Sequence, residues 1–215
     1  MTTLITGANR GVGRALFDAL SERGDNVIGT HRDAPKDGWL RLDVADPDSV
    51  TAMARDFGDR PLDLLVCNAG IFEDRGMDVA TGYPADLWAH QFAVNVTGVF
   101  LTVQALLPNL KAAQGKVAII SSQMGSSEIA SGGSLIYRAS KAAAVNLGRN
   151  LAMDLKGDGV AVGVYHPGWV QTDMGGSTAA ITPKASAEGL VARFDELSLA
   201  TTGAFRTYDG ADHPF

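Results

Sequence analysis

Short apolar blocks alternate along the chain with longer amphipathic stretches, and the alternation predicts strands separated by helices. Thr2–Thr6 reads as a β-rich run, and Val12–Arg23 carries apolar residues at helical spacing. Asn26–Thr30 and Trp39–Asp43 read as the next two strands. Asp46 is a helix N-cap with Pro47 in the first turn, opening a helix that runs to about Phe57. Leu62–Asn68 and Lys116–Ser122 are almost continuously apolar, as strands covered on both faces are. Between them, Pro84–Leu107 reads as one long helix stopped by Pro108. Ile136–Leu155 is helical, and Val160–His166 is a strand closed by Pro167-Gly168. Ala185–Leu197 and Ala204–Tyr208 supply a last helix and strand. This order predicts an α/β fold: one domain over residues 1–215, with a parallel sheet and helices on both faces.

Composition narrows the picture. Hydrophobic residues are 46% and charged residues 20% of 215, the mix of a globular protein. A formal charge of −6 argues against a nucleic-acid partner, since it repels phosphate backbones. No apolar run is long enough for a membrane helix, and the start lacks the basic region of a signal peptide. A single cysteine, Cys67, fits a reducing compartment, so a cytoplasmic protein is expected. The four histidines are scattered without ligand spacing, and no metal site is expected.

Many of the 25 glycines fall where strands end, which is where an open α/β sheet places its ligand crevice. The first strand runs into Thr6-Gly7-Ala8-Asn9-Arg10-Gly11-Val12-Gly13 and then a helix. Such a turn brings backbone N–H groups and a helix N-terminus close to a pyrophosphate. Its G-x-x-x-G-x-G spacing differs from the commonest dinucleotide fingerprint, and a merely structural turn also fits. The second strand ends where dinucleotide folds select their cofactor, and His31 and Arg32 follow it. Arg32, with Arg10 from the turn, suits a 2′-phosphate and favours NADP over NAD; both arginines also fit a solvated surface. Asp33 is the acid an NAD site would use, but it falls past the strand end in a loop with Pro35 and Gly38.

Tyr137 and Lys141 are four residues apart near the start of a helix and so share a face. An ammonium beside a phenol stabilises the phenolate and is expected to lower its pKa toward neutrality, making an acid–base pair for a carbonyl or an alcohol. Alone, the pair equally fits a packed tyrosine beside a snorkelling lysine.

With its company the pair says more. Thr6–Gly13, Asp43-Val44, Asn68-Ala69-Gly70, Asn95, Ser122, Tyr137-x-x-x-Lys141 and Pro167-Gly168 follow one another in the order found in the short-chain dehydrogenase/reductase family, which this chain resembles over nearly its whole length. Tyr137–Ala143, Tyr165–Gly176 and Tyr208-Asp209-Gly210 resemble more narrowly the C-factor/Sniffer-type carbonyl reductases. The resemblance implies a Rossmann-type doubly wound sheet and a catalytic set of Asn95, Ser122, Tyr137 and Lys141. It implies that Gly7, Asn9, Arg10, Gly11, Val12 and Gly13 cradle cofactor phosphates, with His31 and Arg32 at the adenosine ribose. Asp43 and Val44 would hold the adenine, and Asn68, Ala69 and Gly70 would line the crevice. Pro167, Gly168, Val170 and Thr172 would meet the nicotinamide, beside Tyr137 and Lys141. Ser121 remains a rival for the role of Ser122, and Tyr137 lies fifteen positions after Ser122, longer than the family's usual interval. The implied activity is NADPH-dependent reduction of an aldehyde or ketone, reversible as alcohol oxidation, with NAD possible. The implied partners are a small carbonyl or alcohol and other copies of the chain, as a homodimer or homotetramer through the two long helices. An NAD(P)-binding sensor with little turnover is the alternative. Phe72, Met124, Ile129, Trp169 and Met174 suggest an apolar substrate pocket. The chain is short for the family after Thr172, which implies an open one.

Overall fold

Seven parallel strands form one sheet in the order β3-β2-β1-β4-β5-β6-β7. They are β1 (Thr2–Ile5), β2 (Asn26–His31), β3 (Leu40–Arg41), β4 (Leu64–Cys67), β5 (Lys116–Ile120), β6 (Ala161–His166) and β7 (Phe205–Thr207). The structure is a computed structural model describing residues 1–33 and 38–215, so Pro35 lies outside the described residues. The helices are α1 (Gly11–Glu22), α2 (Pro47–Phe57), α3 (Ala85–Phe92), α4 (Gly98–Ala105), α5 (Leu107–Ala113), α6 (Leu135–Leu155) and α7 (Pro183–Glu196). This is the Rossmann-type doubly wound architecture.

Strand alternation sends side chains to two apolar layers. Leu4, Leu65, Cys67, Val117, Ile119, Val162 and Val164 pack with α2, α4, α5 and α6. Ile5, Leu64, Val66, Ala118, Ile120 and Tyr165 pack with α1 and α7, whose Leu16, Leu20, Leu190 and Phe194 are buried. The strand order reverses between β1 and β4, joined at Thr3↔Leu64, Leu4↔Leu65 and Ile5↔Val66. The crevice opens beyond the carboxyl ends of these two strands.

Two elements differ from the sequence reading. The single helix expected over Pro84–Leu107 is α3, a π turn at Ala93–Thr97, and α4. After Leu106 the chain bends by 58° into α5, with Pro108 in its first turn. Proline at that position loses no helical hydrogen bond, so it begins a helix as readily as it stops one. The strand expected over Trp39–Asp43 pairs only at Leu40 and Arg41. Trp39 instead lies against Gly29 and packs at 4.8 Å on Phe17.

Candidate active site

The β1–α1 turn is built so that its backbone faces outward. Thr6 Oγ1 accepts from the N–H groups of Asn68 and Ala69, both at 3.0 Å. Asn68 Nδ2 donates to the Thr6 and Gly7 carbonyls at 3.0 and 3.1 Å. Thr30 accepts from Gly7 N and Ala8 N, both at 3.2 Å, tying the turn to β2. Gly13 has no room for a Cβ, which would lie 2.3 Å from the Gly7 carbonyl oxygen. Gly7 and Gly11 take φ of 64° and 56°, a region open to glycine. Helix α1 has no side-chain cap and no acid in its first turn. Its first N–H groups are therefore free for an anion, which fits a pyrophosphate.

An open cleft of about 230 Å³ runs from this turn to Tyr137. Gly7, Asn9, Arg10, Gly11, Val12, Gly13, His31, Arg32, Asp43, Val44, Asn68, Ala69, Gly70, Tyr137, Lys141, Pro167 and Thr172 line it. Asp43 Oδ1 accepts from Ala45 N at 3.0 Å, which fixes the carboxylate at the cleft wall. Asp33 is not part of the wall and lies near His31, at 3.7 Å. Arg10 reaches across the mouth to Asp173 at 3.0 Å, both side chains well exposed.

The remaining expected residues sit just behind the wall. Gly168 and Val170, expected at the nicotinamide, do not line the cleft. Val170 is buried, bridged to Ile181, and Gly168 (φ 85°) abuts Ile181 and Tyr208 so closely that a Cβ would lie 2.3 Å from Ile181 Cδ1. Asn95 lies in the π turn, a local widening of the helix often found at functional sites. Its Oδ1 accepts from Ile71 N at 2.9 Å, and its Nδ2 donates to Ile71 O and Ser140 Oγ at 3.0 Å each. Gly70 separates Asn95 Oδ1 from Lys141 Nζ.

Tyr137 and Lys141 are both buried on α6, with Lys141 Nζ 5.7 Å from the Tyr137 ring centre. Lys141 donates to the Ile120 carbonyl at 3.0 Å, and burial lowers it to about 8. The sequence reading has lysine bringing the phenol down; instead burial dominates and pushes Tyr137 up to about 12. The nearby Ser122 hydroxyl and the Arg75 charge pull the other way. Ser122 Oγ also accepts from Met124 N at 3.1 Å. Ser121 lines the cleft and Ser122 does not, but the Ser121 Oγ is committed to the Lys141 carbonyl, to which it donates at 2.9 Å. Cys67 is packing, its thiol pushed up to about 12 by burial.

Sequence reading missed Asp74. It is 0% exposed and lies on the β4–α3 loop. Helix α6 begins at Ser134 with no side-chain cap of its own. Asp74 Oδ2 supplies it from outside, accepting from Ile136 N at 2.8 Å and Tyr137 N at 3.2 Å. Its Oδ1 accepts from buried Gln91 at 3.2 Å, and Gln91 Oε1 accepts from Glu73 N at 2.6 Å. Three donors and a helix N-terminus offset the cost of burying this carboxylate. An acid far from the helix start in sequence gives no local capping signal, and within the charged run Glu73-Asp74-Arg75 nothing singles out Asp74.

The glycine turn, the cleft and the buried Tyr–Lys pair lie along one crevice at the carboxyl ends of the strands, and comparison with known proteins identifies the family. Residues 1–181 match the family model described as short chain dehydrogenase. The chain belongs to the short-chain dehydrogenase family. It is 34% identical over 223 residues to a 1-hydroxy-2-glutathionyl-2-methyl-3-butene dehydrogenase from Rhodococcus sp. (strain AD45), covering 97% of each chain. Among solved structures it resembles an NADPH-bound carbonyl reductase from chicken fatty liver, at 29% identity and a TM-score of 0.91, covering 100% of this chain and 98% of that one. It likewise resembles the carbonyl reductase Sniffer of D. melanogaster, at 27% identity and a TM-score of 0.92, covering 100% and 99%.

Proposed function

We propose that this chain reduces an aldehyde or ketone with NADPH, using Tyr137 as the proton donor. The observation that carries the reading is Tyr137 on the cleft wall, between Ser122 and Lys141, at the far end from a turn with free N–H groups. When bound, the nicotinamide supplies a hydride to the carbonyl carbon. Burial keeps the Tyr137 phenol neutral and so able to donate. The Tyr137 O–H bond breaks, and its proton goes to the carbonyl oxygen, which becomes a hydroxyl. Ser122 steadies the developing negative charge on that oxygen. The Lys141 ammonium, 5.7 Å from the ring, favours the phenolate left behind, and solvent returns the proton to Tyr137 by way of water and Lys141, which titrates near 8. Asn95 holds Ile71 and Ser140 in place around this pair.

NADPH is favoured over NADH by the groups at the end of β2. His31 and Arg32 line the cleft there, Arg10 lines it from the β1–α1 turn, and Asp33 does not line it. The exposed Arg10–Asp173 pair is worth little, so a phosphate can take Arg10 from it. The bound NADPH of the chicken protein supports this assignment.

The test is NADPH and NADH oxidation with a panel of aldehydes, ketones and quinones, run on the wild type and Tyr137→Phe. Turnover falling by about a thousandfold in the variant, with NADPH still bound, is the expected result. Undiminished turnover in Tyr137→Phe sinks the mechanism. NADPH binding with no turnover of any carbonyl by the wild type points to a sensor instead.

A further inference from the structure

Beside Tyr137 and Met174, which line the cleft, stands a cation whose charge the reaction above does not use. Arg75, on the β4–α3 loop, holds its guanidinium 4.8 Å from the Phe72 ring centre. Phe72 in turn stacks on Tyr137 at 4.2 Å with an interplanar angle of 18°. The three groups form a column that leads from the phenol to a positive charge. Arg75 Nη2 donates to the carbonyl of Met174, on the loop after β6. Ring and carbonyl fix the guanidinium from two sides while the side chain stays exposed.

Its neighbouring acids are engaged elsewhere. Glu73 faces His90 at 3.8 Å, Asp173 pairs with Arg10 at 3.0 Å, and Asp74 caps α6 from the interior. Among the described residues no carboxylate lies within 4.0 Å of the Arg75 nitrogens. In a chain with a net charge of −6, a fixed arginine without an acid beside the reacting group is a point of anion selection. The adjoining surface is apolar: Met174 is 37% and Trp169 52% exposed, and Trp169 is pinned by Nε1 donating to Gly175 O at 2.8 Å. A ligand body lying there covers hydrophobic surface that water otherwise meets.

We propose that Arg75 is an anion subsite, and that the favoured substrate is a carbonyl compound bearing a carboxylate about one aromatic ring away from the carbonyl. The carbonyl sits at Tyr137, the apolar spacer lies over Phe72 and Met174, and the carboxylate meets the open edge of the guanidinium. This assignment rests on reading Tyr137 as the reacting group.

The probes are 4-formylbenzoate and its methyl ester, which share shape and differ in charge. Calorimetric titration of each into the NADP⁺-loaded protein gives the affinity ratio of acid to ester. The expected wild-type ratio favours the acid by about five- to tenfold, falls to about one in Arg75→Gln, and inverts in Arg75→Glu. A wild type that binds the acid no better than the ester, or not at all, overturns the proposal. So does an Arg75→Gln protein that keeps the preference. An acid that binds in this Arg75-dependent way yet is not reduced with NADPH supports the subsite and counts only against the reductase reading.

Discussion

A methyl group on Gly70 would come within 3.2 Å of Asn95 Oδ1 and 3.3 Å of Lys141 Nζ, which is how tightly these side chains are gathered. Lys141 is the one that titrates within reach of experiment. Burial depresses it from 10.5 to about 8, so below pH 8 the folded protein carries the full cost of a buried ammonium. That cost is relieved as pH rises toward the unfolded value. Stability is therefore expected to climb by about 2 kcal/mol between pH 8 and 10 from this group. Tyr137 works in the opposite sense above pH 10, because its folded pKa is raised. Denaturant titrations at the two pH values check this as a difference between proteins: the Cys67 thiol, raised by burial, opposes the rise over the same interval in both, so wild type should gain about 2 kcal/mol relative to Lys141→Met. The same residues mark how far sequence carries the site. Tyr137, Lys141 and the cleft-lining glycines are legible because their chemistry is fixed by type and spacing. The direction of the Tyr137 shift is not, since burial is a property of the folded surroundings.

Helix α6 delivers both of these side chains, and its first turn is held by a residue more than sixty positions earlier. Asp74→Asn is expected to weaken this anchor. The asparagine oxygen must still accept from Ile136 and Tyr137, so its amide N–H₂ then faces the Gln91 amide, donor against donor. A loss of about 1–2 kcal/mol in stability and a drop in kcat larger than any change in KM for NADPH are the expected results. Adding Gln91→Glu restores an acceptor opposite the new amide at position 74, and it also still accepts from Glu73 N. The double variant should recover most of both losses; thermal melts and steady-state kinetics on the pair decide it, and a double variant no better than the single removes the role given to Asp74. Elements with strong periodicity or a local cap are legible in the sequence, α2 with Asp46 accepting from Asp48 N among them. The π turn and α5 are not, because a widened turn and a proline-initiated helix keep the apolar pattern of one continuous helix.

At the scale of the molecule, the proposed NADPH is a polyanion and the chain is acidic, so on that reading Arg10, His31 and Arg32 are the cations that admit it. Arg10→Ala with Arg32→Ala is expected to raise KM for NADPH by about tenfold or more and leave KM for NADH nearly as it was. Added salt should raise the wild-type KM for NADPH more steeply than that for NADH, and should lose this selectivity in the double variant. Equal effects on the two cofactors would refute the phosphate assignment. The sheet itself is legible as alternating strands and helices, but its order is not, since pairing joins residues far apart in the chain. That order has a consequence for how the protein is made. Strand β1 is synthesised before any other strand yet ends up inside the sheet, with β2 on one side and β4 on the other. Until residues 64–66 emerge from the ribosome, the edge that will meet β4 remains open on an apolar strand. Nascent chains paused between β2 and β4 should thus be the ones that chaperones hold, and synthesis slowed in that interval should favour aggregation over folding.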